Sequence, residues 1–183
     1  MKKLLDLYSL IILAFLLLSC QKEDDNTIIP PITAENTFSC KIDGNLFIPE
    51  NHGGFITQKG YLIETFGQNS WLFTLGNRNI DLYVFVKDVN YTGKYEVSRS
   101  DGDLDFLYDV NTAVELRDKE NNITYISQNA SNFIEVIEFS NSNSIMLKFN
   151  KIILKSLQNS NNQIILTNGK LNINKETLNT EEN

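Results

Sequence analysis

Ile80-Asp81-Leu82-Tyr83-Val84-Phe85-Val86-Lys87 alternates in a way that only an extended chain can use. Successive side chains of a strand point to opposite faces, so Ile80, Leu82, Val84 and Val86 line one side. Tyr83 and Phe85 fall on the other side, between Asp81 and Lys87. Period two with β-branched and aromatic residues predicts a strand whose even positions enter a core. The same period repeats outward in both directions. Upstream, strands are expected at Phe38–Ile42, Leu46–Ile48, Tyr61–Phe66 and Trp71–Leu75. Downstream they are expected at Lys94–Val97, Ala113–Arg117, Ile123–Ser127, Phe133–Phe139, Ile145–Phe149, Ile152–Leu157, Gln163–Leu166 and Lys170–Ile173.

The punctuation between these runs is turn chemistry. Asp43-Gly44 is a strong hairpin signal. Gly67-Gln68-Asn69, Gly76 to Asn79, Asn121-Asn122, Ser140 to Ser144, Asn159 to Asn162 and Asn168-Gly169 serve as further turns. Asn suits them because it tolerates positive φ and bonds its own backbone. No long window after the N-terminal segment carries a helical stripe, and no repeat is in phase. Residues 36–174 are therefore expected to form one all-β domain, with 175–183 as a polar, acidic tail. An antiparallel β-sandwich is expected, with a β-barrel as the alternative, because several strands are apolar on both parities.

Composition narrows the function classes. Of 183 residues, 42% are apolar and 21% charged, as in ordinary globular chains. Sixteen Lys plus Arg against 23 Asp plus Glu gives a net charge of −7, which argues against a nucleic-acid partner. One His and two Cys, far apart, leave little material for metal or nucleophile chemistry. No cofactor, metal site or catalytic residue is assigned.

The N-terminus carries an address. Lys2 and Lys3 precede a run from Leu4 to Leu18 that is apolar except for Asp6, Tyr8 and Ser9, and Gln21, Lys22, Glu23 and Asp24 follow at once. A cleaved signal peptide over 1–19 is expected rather than a spanning helix, which needs about 20 apolar residues. Leu17-Leu18-Ser19-Cys20 resembles the lipobox of bacterial lipoproteins, in which the Cys becomes the lipidated first residue of the mature chain. That resemblance implies a diacylglycerol on Cys20 and a membrane as partner, and two acyl chains anchor a protein stably. Gln21-Lys22-Glu23-Asp24-Asp25 resembles the Lys-plus-acid export signal of surface lipoproteins in the Bacteroidota. It implies exposure at the cell surface, with the periplasmic face of the outer membrane as the alternative. Residues 20–35, with Pro30-Pro31, then form a polar tether.

If lipid occupies Cys20, Cys40 has no partner in the chain, and its parity with Phe38 and Ile42 makes it a core residue. The stretch Phe38 to Pro49, together with Ile164 to Leu171 read as a closing hairpin, resembles a group of uncharacterised Bacteroidota lipoprotein domains. The resemblance implies a β fold and a lipoprotein address, and no catalytic residues.

Candidate chemistry is sparse. Trp71, Tyr83 and Phe85 could form an aromatic platform for a sugar ring or a peptide if the two strands turn them the same way. The alternative is that a layer or loop covers them. Asp101, Asp103, Asp105 and Asp109 form one acidic run, which reads as a solvated turn more readily than a calcium loop because Phe106 and Thr112 stand where Gly and Glu are needed. His52 in Asn51-His52-Gly53-Gly54 reads as a loop residue. Glu135 and Glu138, three apart on one strand, are expected on opposite faces. The expected function is a non-enzymatic envelope lipoprotein that binds a glycan, peptide or partner protein. An accessory subunit of an outer-membrane complex is the first alternative and a hydrolase the second.

Overall fold

The computed structural model describes residues 35–50, 60–67, 69–104, 111–129, 132–140 and 142–178. The fold is all-β and antiparallel, as the alternation predicts. Its strands are β1 (Thr37–Ile42), β2 (Asn45–Phe47), β3 (Tyr61–Phe66), β4 (Ser70–Gly76), β5 (Ile80–Val86), β6 (Gly93–Glu96), β7 (Ala113–Asp118), β8 (Ile123–Ser127), β9 (Phe133–Ser140), β10 (Ser144–Ser156) and β11 (Gln163–Asn174). They join one curled sheet, a half-barrel, in the order β2-β1-β11-β10-β8-β7-β5-β4-β3. β9 pairs with β10 off this path, and β6 pairs with β9. A short helix, α1 (Lys175–Leu178), begins the segment expected to be only a polar tail.

The turn signals are placed as the chemistry demands. Asp43 and Gly44 both take positive φ, the geometry of the tight hairpin between β1 and β2. Asn122 and Ser142 take positive φ at the β7–β8 and β9–β10 turns. The Asn77 side chain accepts from the Asn79 and Ile80 backbone N–H groups to close the β4–β5 turn.

Asn168-Gly169 is a correction. It does not reverse the chain: β11 continues through it, as β10 continues through Asn150-Lys151, where two separate strands were expected. The inward parity of both strands flips at this level. Ile145, Leu147 and Phe149 are buried, then Ile152 and Leu154, with Asn150 and Lys151 exposed between them. On β11 the sequence is Ile164 and Leu166, then Leu171 and Ile173, with Asn168 at positive φ. The β1–β11 register shifts opposite it, between Ser39 and Lys41. Bulges bend a strand and raise its twist, so this level is the corner around which the sheet curls. Gly169 is required there, because a Cβ would occupy the space of the Phe149 ring packed against it.

One large cluster fills the inside of the curl. Trp71, Phe73 and Leu75 of β4 meet Val84 and Val86 of β5, Leu147 and Leu154 of β10, and Phe38 and Cys40 of β1. Burial pushes the Cys40 thiol up to about 12, so this free cysteine behaves as a small hydrophobe.

Candidate functional site

The three aromatics expected to share a platform do not share one. β4 and β5 pair Trp71 with Val86, Leu72 with Phe85 and Thr74 with Tyr83. Directly paired residues lie on one face, so Trp71 is on the opposite face from Tyr83 and Phe85. Both faces are also covered. Trp71 is 0% exposed, stacked on Phe73 at 5.8 Å inside the large cluster. Tyr83 and Phe85 are 9% and 5% exposed, in a second, smaller cluster with Leu72, Leu104 and Ala113. The segment 98–104 lies over this smaller cluster, with Leu104 as its apolar plug. These aromatics are core, which matches the covered alternative and not the platform.

What holds that segment down is a carboxylate that pattern reading missed. Glu115 sits in Ala113-Val114-Glu115-Leu116 and is 0% exposed. Its Oε1 accepts a hydrogen bond from the Ser100 hydroxyl. Its Oε2 accepts from the Leu104 N–H at 3.3 Å and lies 4.0 Å from Arg117 Nη2. Arg117 stacks over the Tyr83 ring at 4.8 Å and donates to the Gly102 carbonyl at 3.4 Å. Burial pushes the Glu115 carboxyl above the usual carboxylate range, and the Ser100 hydroxyl, the Leu104 N–H and the Arg117 charge pull part of the way back. Ser127 adds a second tie: its hydroxyl donates to the Ser98 carbonyl at 2.6 Å and accepts from the Val114 N–H at 3.1 Å. The signal for Glu115 was a lone acid inside an apolar strand. Asp101 and Asp103 are exposed on the same segment, while Asp105 and Asp109 lie outside the described residues. Among the described residues no group of three or more His, Cys, Asp or Glu could hold a metal ion.

The concave surface lies elsewhere, on the outer face of β10. β8 pairs with β10 at Leu154 to Ser156, and β9 pairs with it at Ser144 to Lys148. Between these two stretches the chain leaves β10 and returns. Phe149 to Ile153 therefore has β11 on one side and no strand among the described residues on the other. A cleft of about 350 Å³ opens there, lined by Lys94, Phe133, Glu135, Lys148, Asn150 and Lys151 among others. A second depression of about 250 Å³ shares Lys148 and Asn150 and adds Asn168 and Lys170. Phe133 is 44% exposed, with the Lys94 ammonium 5.7 Å from its ring centre. Lys148 Nζ is 3.3 Å from Glu135 Oε2.

β9 also corrects the expectation for its two carboxylates. Met146 pairs with Glu138 and Lys148 with Glu135, while Ile137 is passed over by a bulge. Met146 and Lys148 are two apart on one strand, so Glu135 and Glu138 share the outer face. They serve different surroundings: Glu135 pairs with Lys148 in the cleft, and Glu138 borders a separate depression of about 290 Å³ with Glu35, Ser144 and Asn174.

Cys20, Gln21, Lys22, Glu23, Asp24 and His52 lie outside the described residues. No helix among the described residues is long and apolar enough to cross a membrane. The chain matches no family model, no curated protein and no solved structure.

Proposed function

We propose that this chain is a lipid-anchored protein of the outer membrane whose β domain is a non-enzymatic recognition module, with its binding surface in the cleft where β9 leaves β10. The anchor reading rests on Leu17-Leu18-Ser19-Cys20 and the polar tether after it. The recognition reading rests on one observation: a net-negative chain gathers three ammonium groups and an exposed aromatic ring around a single concave surface. Clefts with a few convergent polar groups are the usual form of a ligand site. An accessory subunit without a small ligand would fit the covered Tyr83 and Phe85 face, yet that reading leaves the Lys94, Phe133 and Lys151 cleft without a purpose.

Three measurements test the proposal. Cys20→Ala is expected to abolish labelling by a fatty-acid probe, and normal labelling of that variant rejects the anchor. Changing Lys22, Glu23 and Asp24 together to Ala is expected to remove protease accessibility on intact cells if they direct surface exposure. For the module, the full chain in detergent micelles is screened on a glycan and peptide array beside Phe133→Ala. Specific binding that is lost in the variant supports the cleft, and binding that survives it places recognition elsewhere.

A further inference from the structure

Resting on the recognition reading, we infer that the ligand of this cleft is an acidic saccharide, carrying a carboxylate or a sulfate. Lys94, Lys148 and Lys151 line the cleft and Lys170 lines its neighbour, against the one carboxylate of Glu135. Glu135 is already engaged with Lys148, whereas Lys151 meets no carboxylate among the described residues. Ammonium groups donate and cannot accept, so their surplus asks for an acceptor-only, negatively charged group. Asn132, Asn150 and Asn168 stand beside them. A carboxamide both donates and accepts, which matches a sugar hydroxyl that does the same. Phe133 supplies the flat apolar face that a sugar ring can lie on.

The same surface suits a peptide poorly. The unpaired stretch of β10 is closed at one end by β9 and at the other by β8, so an added strand has no way to continue in line. The Phe149 ring is packed into the core beneath, 2% exposed, and fills the place where a pocket for an apolar side chain would be.

The test is calorimetric titration of the full chain in detergent micelles with four probes: an oligogalacturonate, a sulfated oligosaccharide, a neutral oligoglucose and a polyglutamate peptide. Binding of either acidic saccharide is expected, weakening as salt rises because exposed charges are screened. Comparing the first two probes tells carboxylate from sulfate. Lys151→Gln and Phe133→Ala are each expected to weaken it about tenfold, the scale of one good polar or aromatic contact. Lys155→Gln, on the same strand but outside the cleft, is expected to leave it unchanged. Equal affinity for the neutral oligoglucose overturns the acidic class. Polyglutamate binding alone, lost in Lys151→Gln, overturns the saccharide and keeps the cleft. No binding of any probe, or binding that neither cleft variant alters, overturns both. Circular dichroism on each exposed-residue variant shows that loss of binding is not loss of fold.

Discussion

β4 and β5 are apolar on both faces, and the two faces are covered by different means. Inside the curl, Trp71, Phe73, Val84 and Val86 meet side chains from β1, β10 and β11, strands distant in the chain. Outside it, Leu72, Tyr83 and Phe85 meet one short segment, whose plug is Leu104 and whose ties run to the buried polar residues Glu115 and Ser127. The inner face is held by area and packing, which are lost only when the sheet unfolds. The outer face depends on one apolar plug and a handful of hydrogen bonds, to Glu115, to Ser127 and to the Thr112 carbonyl, which can open locally while the sheet stays intact.

That contrast can be broken most directly at its two ends. Trp71→Ala is expected to cost about 3–5 kcal/mol, read as a shift of the global urea midpoint. Trp71→Phe should cost less, since it removes an indole N–H that is buried without a hydrogen-bond partner among the described residues. Glu115→Ala comes next, at about 3 kcal/mol, because it leaves the Ser100 hydroxyl, the Leu104 N–H and Arg117 facing an unfilled site. Its distinguishing readout is proteolysis: cleavage within 98–104 should rise before the global transition moves in proportion. Leu104→Ala, at about 2–3 kcal/mol, should speed amide exchange of that segment while leaving the exchange of β4 nearly unchanged. Equal acceleration in β4 would merge the two regions into one cooperative unit. Gly169→Ala, at about 1–3 kcal/mol through its clash with Phe149, tests the corner on which the inner face depends.

The smallest effect is a pH dependence. Burial holds the Glu115 carboxyl above its value in the unfolded chain, so the folded state binds the proton more tightly. The stability this group contributes is fully present below the ordinary carboxylate range and is lost as pH rises through the folded value. Glu115→Gln should flatten that part of the urea-midpoint profile. An unchanged slope would mean the carboxyl is ionised throughout, with its donors outweighing burial.

Much of the sheet was legible because alternation is a local property. The spans around β3, β4, β5, β7, β8 and β9 follow from period two, and Asp43-Gly44 fixed the first hairpin. Cys40 entered the core as its parity with Phe38 requires. The candidate site was legible only in its components. Lys94 and Phe133 were read only as strand residues and Lys151 fell between two expected strands, and nothing local to any of them says that β9 leaves β10 beside Lys148. Trp71 and Tyr83 misled for the opposite reason: exposed and covered aromatic strands look alike until the covering segment is placed.

By itself the sequence determined most of the strand positions, the chemistry of most turns and the self-sufficient apolar content. Tertiary structure decided which face each side chain meets wherever a bulge intervenes. At Ile137 one extra residue brings Glu135 and Glu138 to the same side, and at Asn168-Gly169 the β1–β11 register shifts between Ser39 and Lys41, so β11 runs on where a turn was expected. A bulge shifts the two-residue period by one, and its position depends on the partner strand opposite, which contact across a long stretch of chain supplies and no local window contains.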